Sequence, residues 1–288
     1  MAQVINTNVL SLNSQRTLMS SQAAMQTSIE RLSSGLRINS AKDDSAGLAI
    51  GERFTAQIRG LEQANRNAND AISMLQTGEG AMSEISSSLQ RMRELAVQAI
   101  NGTMSANDRT SLNDEYQALA SEITRNTDST EFNGTKVIGA AATITMQIGF
   151  EADTNNQIDV TTVDVNSASG VGSAIAGTLT GSVTSGSGSA AVVTGLSAES
   201  LVAVIDTALD KISELRADFG ALQNRFESTV RNNSNIVENQ SAARSRVLDA
   251  DFAKETANMT RNQILQQAGV AMLAQANQMP QSVLSLIR

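Results

Sequence analysis

Apolar residues recur along this chain in periodic stretches, separated by polar or glycine-rich breaks. The longest stretch carries Phe54, Leu61, Ala68, Leu75, Met82, Leu89 and Ala96 at an unbroken seven-residue interval, with Ile58 and Ile72 at intermediate positions. A sustained seven-residue step is the pattern of a helix packed along a seam against other helices. The step keeps its phase through Gly78-Glu79-Gly80. Each interior glycine costs about 1 kcal/mol relative to alanine, but a loop would have no reason to preserve the phase. One helix is therefore predicted from about Ser45 to Ile100.

A break at Asn101-Gly102-Thr103 is followed by Ser105-Ala106-Asn107-Asp108, which reads as a capping box. Leu112, Tyr116, Leu119 and Ile123 then continue at helical spacing. They predict a shorter helix to about Thr127, folded back antiparallel on the first. A third seam, Leu201, Ile205, Ala208, Ile212, Leu215, Phe219, Leu222 and Phe226, alternates four- and three-residue steps, with Ser197 as the predicted N-cap. It extends to about Leu248. Between the helical stretches, Ile144, Met146, Ile148, Ile158 and Val160 alternate with polar residues. They predict one or two β-hairpins with Asn155-Asn156 near a turn. Residues 166–195 are mostly Gly, Ser, Thr and Ala, which predicts an exposed, mobile loop or a small β element.

The two ends carry further amphipathic helices. Met25, Ile29, Leu32 and Leu36 are spaced 4-3-4, and Ile5, Val9, Leu12 and Met19 form a looser series. Leu265, Ala268, Met272, Ala276 and Met279 answer them at the other end, finishing in Val283-Leu284-Ser285-Leu286-Ile287. Neither end has a partner beside it in sequence, so the two are expected to pair with each other. Polar spacers, residues 33–44 and roughly 249–254, set them off from the central helices.

Composition narrows the function. Hydrophobic residues make up 41% of the 288, but aromatics only 2%. A deep globular core would use more bulky rings, whereas Leu, Ile, Met and Ala line narrow helix seams. The only proline is Pro280, so nearly the whole chain is free of forced helix breaks. Cysteine and histidine are both absent. That removes disulfides, thiol nucleophiles, imidazole acid–base chemistry and soft-metal sites. A carboxylate site for calcium or magnesium would remain open, but the acidic residues are scattered and no metal or other cofactor is expected. Asp43-Asp44 reads as helix initiation rather than a carboxylate pair, because adjacent residues on a helix diverge by about 100°. Gly170-Val171-Gly172 lacks the spacing and setting of a dinucleotide loop. No catalytic constellation is present, and the expectation is that the protein is not an enzyme. A net charge of −8 argues against nucleic acid and anionic membrane as partners. The N-terminus lacks the regions of a cleavable signal peptide, which alone would point to the cytoplasm.

Longer motifs change that picture. Val4-Ile5-Asn6-Thr7-Asn8 and the run from Leu32-Ser33-Ser34-Gly35-Leu36-Arg37-Ile38-Asn39 through Asp43-Asp44-Ser45-Ala46-Gly47-Leu48-Ala49-Ile50 resemble the amino-terminal signature of bacterial flagellins. Gln90-Arg91-Met92-Arg93-Glu94-Leu95-Ala96-Val97-Gln98-Ala99 and Phe132-Asn133-Gly134 extend the resemblance. Ile264-Leu265-Gln266-Gln267-Ala268-Gly269, Leu273-Ala274-Gln275-Ala276-Asn277-Gln278 and the closing Pro280–Arg288 are similar to the carboxy-terminal signature. The resemblance covers roughly residues 1–150 and 197–288.

It implies a mostly α fold of long antiparallel coiled-coil helices forming a rod, with a small β-hairpin region and a short variable insert. Residues 1–44 with 249–288 would form the inner terminal domain, 45–165 with 197–248 the helical rod domain, and 166–196 an exposed insert. The implied function is a structural subunit polymerising into the flagellar filament for swimming motility. Export through the flagellar type III apparatus would replace the missing signal peptide, placing the protein outside the cell. Implied partners are many copies of itself, an export chaperone, and the filament cap and hook-associated proteins. Terminal helices would order on assembly, burying Ile5, Val9, Leu12, Leu265, Met272, Leu284, Leu286 and Ile287 between subunits. Arg91, Leu95 and Glu115 match the patch by which the vertebrate flagellin-sensing Toll-like receptor recognises some flagellins. The alternatives are a hook–filament junction protein and an adhesin or enzyme using the insert, the latter lacking catalytic residues.

Overall fold

The computed structural model of the chain describes residues 8–168, 171–179 and 198–286, with residues 198 and 279–286 as backbone only. Among these, the elements run α1 (Val9–Ser34), α2 (Ser45–Ile100), α3 (Ala106–Ser129), β1 (Glu131–Phe132), β2 (Thr135–Lys136), β3 (Ala142–Gln147), β4 (Gln157–Thr162), α4 (Val171–Ile175), α5 (Ala198–Leu248) and α6 (Phe252–Leu286). The fold is mostly α, with two small antiparallel strand pairs. Helix α2 runs unbroken through Gly78 and Gly80, as its phase predicts. Ser197, the expected cap of α5, lies outside the described residues. Contacts divide the chain into two units, Arg59–Val237 and Met1–Ile58 with Glu238–Arg288.

In the unit Arg59–Val237, the seven-residue series Leu61, Ala68, Leu75, Met82, Leu89 and Ala96 is buried throughout. A second series three residues on, Ala64, Ala71, Gly78, Ile85, Met92 and Ala99, is buried with it. The expected intermediate Ile72 is only half-buried. The second series is rich in Ala and Gly, which do not stand out in an apolar pattern. Gly78 is needed there, because a Cβ at that position would come within 2.7 Å of Phe219 and 2.8 Å of Val137. On α5, Leu201, Ile205, Ala208, Ile212, Leu215, Phe219 and Phe226 are buried as the spacing predicts. Gln223 donates to Glu79 at 3.1 Å and Arg93 to Asp206 at 2.6 Å. As one number rises the other falls, so α2 and α5 are antiparallel.

Helix α3 opens with the expected capping box. The Ser105 hydroxyl accepts from the Asp108 amide at 3.2 Å, and the Asp108 carboxylate accepts from the Ser105 amide at 3.0 Å. Tyr116, Ala120 and Ile123 of α3 join the core. Strands β3 and β4 pair from Ala142↔Thr162 to Gln147↔Gln157, with a 3-10 turn at Thr154–Asn156 where the asparagine pair places it. Amides of Asn67 and Asn233 donate to the Gln147 and Ile148 carbonyls, holding the end of this hairpin. A second, shorter hairpin joins β1 to β2 through Asn133 (φ 50°) and Gly134 (φ 76°). Both turn residues adopt positive φ, which Asn-Gly tolerates best.

The segment expected to be exposed from residue 166 is corrected in its first part. Val171, Ala174 and Leu179 are buried in the core, and residues 171–175 form α4 rather than a loop. The Tyr116 hydroxyl donates to the Ala174 carbonyl at 2.6 Å, Gln117 donates to the Gly177 carbonyl, and the Leu179 amide donates to Asn113. Burial raises the Tyr116 pKa, so the phenol stays a neutral donor. Side chains of α3 satisfy this segment's backbone, so three apolar residues suffice to hold it. The remaining part, residues 169–170 and 180–196, lies outside the described residues.

In the other unit the spacers are ordered crossings. Gly35 ends α1 in the left-handed conformation (φ 72°), its amide donating to Arg31. Leu36 bridges Asp249, the Arg37 amide donates to the Leu248 carbonyl, and the Ala250 amide donates to the Gly35 carbonyl. Asp43 accepts from the Ser40 and Asn39 amides and the Ser40 hydroxyl. Asp44 accepts from the Gly47 amide at the start of α2, the initiating role expected of this pair. Asp251 caps α6 through the Ala253 and Lys254 amides, so that helix begins inside the expected spacer.

Candidate functional site

Helices α1 and α6 pair with each other, as the unpartnered ends require. They run antiparallel: Asn8 and Ser11 meet Ala276 and Asn277, Leu18 lies against Gly269, and Arg31 faces Glu255 at 4.0 Å. Their Cα atoms repeatedly approach within 8 Å.

The residues that face inward include only part of the apolar stripe. On α1 the covered positions Ser11, Ser14, Leu18, Ser21, Met25, Ser28 and Leu32 form a 3-4 repeat in which serine recurs every seven residues from Ser14, with Thr27 and Arg31 half-covered beside it. On α6 Glu255, Met259, Asn262, Gln266, Gly269, Leu273 and Ala276 again form a 3-4 repeat, with Asn258 half-covered beside it. Of the apolar residues assigned to the terminal stripes, Met25, Leu32, Leu36 and Ala276 are partly or fully covered. Val9, Leu12, Met19, Ile29, Leu265, Ala268 and Met272 are exposed, a correction to the seam inferred from hydrophobicity. Two periodicities are superposed on each helix, and serine and glycine disguised the inner one. The signal was present as the step Ser14, Ser21, Ser28, Gly35.

The outward set is large. Val9 is 68% exposed and Met272 63%, with Leu10, Leu12, Met19 and Ile29 on α1 and Phe252, Ile264, Leu265 and Val270 on α6 also open. At about 100° per residue, Phe252, Ile264, Leu265, Val270 and Met272 point around α6 rather than along one side. An exposed apolar surface of this extent marks a face that another molecule covers. Four of the sequence-predicted contact residues, Val9, Leu12, Leu265 and Met272, belong to it. Leu284 and Leu286 lie on α6 with side chains outside the described residues, and Ile5 and Ile287 lie outside them altogether.

The second candidate patch is brought together only in part. Arg91 donates to Glu115 at 2.9 Å and to Glu94 at 2.9 Å; the Arg91 and Glu115 side chains are about half exposed and Glu94 is more open. These bonds raise the Arg91 pKa, the Glu94 bond most. Leu95 is fully buried among the core residues of α2. Its position four residues from Arg91 gives it a shared helix side, but its rotation lies on the second seam's flank, beside Met92 and Ala96. The expected surface role of Leu95 is therefore corrected to a core role. Among the described residues no helix is long and apolar enough to cross a membrane.

Known proteins align with the chain from end to end. The bacterial flagellin N-terminal helical region matches residues 5–143, and the bacterial flagellin C-terminal helical region matches residues 202–287. The chain is 45% identical over 286 residues to a flagellin of Halalkalibacterium halodurans, covering 99% of this chain and 100% of that protein. It is 43% identical over 304 residues to the flagellin of Bacillus subtilis, covering 99% of each. A solved structure from Vibrio parahaemolyticus, described as a flagellar hook-associated protein, shares the fold with a TM-score of 0.58. It covers 72% of this chain and 100% of its own, at 12% identity.

Proposed function

The chain belongs to the bacterial flagellin family and is a structural subunit of the flagellar filament, and from that premise we propose that the outward apolar side chains of α1 and α6 are the surfaces that neighbouring copies cover. The observation that carries this is the division of the terminal pair: serines alternating with Leu18, Met25 and Leu32 line the inside of α1, while Val9, Leu12, Leu265 and Met272 stay outside. A soluble chain gains nothing from that arrangement by itself. Covering such a side chain contributes about 1.5–3 kcal/mol, and Ile5, Leu284, Leu286 and Ile287 extend the series toward both ends. The spread of apolar residues around α6 favours a helix surrounded on several sides, of which α1 covers one.

A pair with so polar a seam holds weakly in isolation. The terminal helices are accordingly proposed to acquire their full order on assembly, with residues 1–44 and 249–288 acting as the inner domain. Residues 45–165 with 197–248 are proposed as the helical rod domain with its β-hairpin. Before assembly the exposed face of α6 needs a shield, the role proposed for an export chaperone. Cap and hook-associated proteins would meet the same terminal helices at the filament's ends. A receptor contact, where a host has one, would rest on the Arg91–Glu115 pair. The hook-junction reading has weaker support, because 12% identity to a hook-associated structure speaks to fold alone.

Truncation after Met279 tests the proposal. Circular dichroism of the soluble chain is expected to change little, while filaments disappear from electron micrographs. Normal polymerisation of the truncated chain would place the driving contacts elsewhere. Amides of α1 and α6 as protected in the soluble full-length chain as those of α2 would rule out ordering on assembly.

A further inference from the structure

Pro280 lies inside α6, which continues to Leu286. Proline carries no amide hydrogen, so the carbonyl four residues earlier, on Ala276, has no donor from the regular helical ladder. Ala276 is only 7% exposed, and a buried carbonyl left without a donor is costly. The donor comes from the other end of the chain. Asn8 Nδ2 donates to the Ala276 carbonyl at 2.7 Å, across 268 residues of sequence. The same side chain caps α1, its Oδ1 accepting from the Ser11 amide at 3.1 Å. The two bonds fix the amide's orientation, because a flip would set NH2 against N–H and oxygen against oxygen. Beside it the Ser11 hydroxyl donates to Asn277 Oδ1 at 2.9 Å.

We propose that Pro280, the Ala276 carbonyl and Asn8 form a register key that sets where α1 lies along α6. This rests on the reading of the two helices as the assembling pair. On α1 the seam alternates serine with Leu18, Met25 and Leu32, so a slip of seven residues returns like to like and packing alone discriminates poorly between those registers. A directional polar contact at one seam position discriminates among them, as buried polar residues do in coiled coils. A slip of one residue moves the helices by about 1.5 Å, which breaks a hydrogen bond of this length. Proline marks one carbonyl on α6 as unoccupied, and Asn8 reads that mark while starting its own helix. The outward apolar faces of both helices are then presented in a single relative alignment. Asn8 is thus a positioning residue for assembly, acting through the pair rather than by touching a neighbour.

The chain has no cysteine, so an introduced pair can report register. A Cβ at Gly269 would lie 3.9 Å from the Leu18 Cβ, within the disulfide range of about 3.5–4.5 Å. Filaments of the Leu18→Cys, Gly269→Cys chain are oxidised and the intrachain crosslink is quantified. Asn8→Ser keeps a good N-cap but is too short to reach Ala276. It is expected to raise the critical concentration for polymerisation about three- to tenfold and to lower the crosslinked fraction. Pro280→Ala restores the missing amide, and in that background Asn8→Ser is expected to change the critical concentration by less than about twofold. Equal effects in both backgrounds, with filaments still formed and crosslinking unchanged, overturn the key and leave the assembly reading standing. A parent reporter chain that stays soluble under polymerising conditions overturns both.

Discussion

Helix α2 turns Leu61, Leu75, Ile85 and Leu89 into its seam and leaves Glu84 and Arg93 outside, while α1 turns Ser11, Ser21 and Ser28 inward and leaves Val9, Leu12 and Met19 outside. Both helices pair antiparallel with a long helix from the far side of the chain, both in 3-4 steps. The chemistry is reversed. In α2 the apolar residues of the seam are covered within the chain itself, and only a few outside it, such as Val97 and Ile100, stay open. In α1 and α6 the small residues permit close backbone approach, and the apolar residues remain on offer. A hydrophobic stripe therefore marks a face to be covered, without saying which molecule covers it.

The largest expected effects fall on the first side of this comparison. Leu89→Ala deletes a fully buried side chain and is expected to cost about 2–5 kcal/mol in denaturant unfolding of the soluble chain. Met272→Ala is expected to stay within about 0.5 kcal/mol in the same assay, yet to raise the critical concentration for filaments. Comparable losses for the two variants in the soluble chain would erase the distinction.

Ser21→Leu makes the terminal seam more apolar, which a simple hydrophobicity argument would call an improvement. Because α1 and α6 approach so closely, the added bulk is expected to cost about 1–3 kcal/mol and to block polymerisation. Central-unit unfolding should be unchanged. Filaments of ordinary length from this variant would show that the seam has room.

Two glycines in α2 sharpen the same point inside the central unit. Gly78→Ala would drive a methyl group into Phe219 and Val137, for an expected loss of about 1–3 kcal/mol. Nothing lies within 4 Å of a Cβ at Gly80, and Gly80→Ala is expected to stabilise by up to about 1 kcal/mol. Thermal unfolding of both variants checks the sign, and a stabilising Gly78→Ala would contradict the packing described for α2 and α5.

The smallest effect is one in which the two regions should agree. Asp43, in the terminal unit, has its pKa lowered by hydrogen bonds from the Ser40 and Asn39 amides and the Ser40 hydroxyl. Asp108, in the central unit, is lowered by the Ser105 hydroxyl and amide. A depressed carboxylate contributes stability above its unfolded pKa and loses it as pH falls through the folded value. Both groups are fully exposed and screened by salt, so the acid-side loss should be slight. Carboxyl carbon shifts followed by NMR should show both titrating below the ordinary 3.8. Titration of either at the ordinary value would mean its cap is open in solution.

Much of the framework was legible. The seven-residue phase through Gly78 and Gly80 predicted α2 to its ends, Ser105 and Asp108 predicted the capping of α3, and the alternation around Ile144 and Val160 predicted β3 and β4. The β1–β2 hairpin is also written in the chain, as Asn133-Gly134, a pair that belongs to the flagellin-like motif and also suits a tight hairpin turn. Ala64, Ala71 and Gly78 hid the second seam of α2, since three successive small residues left only Ile85 and Met92 to mark it.

By itself the sequence determined the long helices, the capping box of α3, the pairing of the two ends and membership of the flagellin family, because those depend on local spacing and on long motifs. The tertiary structure alone decided which residues are covered. Leu95 falls inside and Arg91 outside, 171–179 is held by Asn113, Tyr116 and Gln117 of α3, and serines rather than Val9 or Met272 line the terminal seam. Spacing describes one helix face at a time, whereas burial is set by what a distant segment brings against that face.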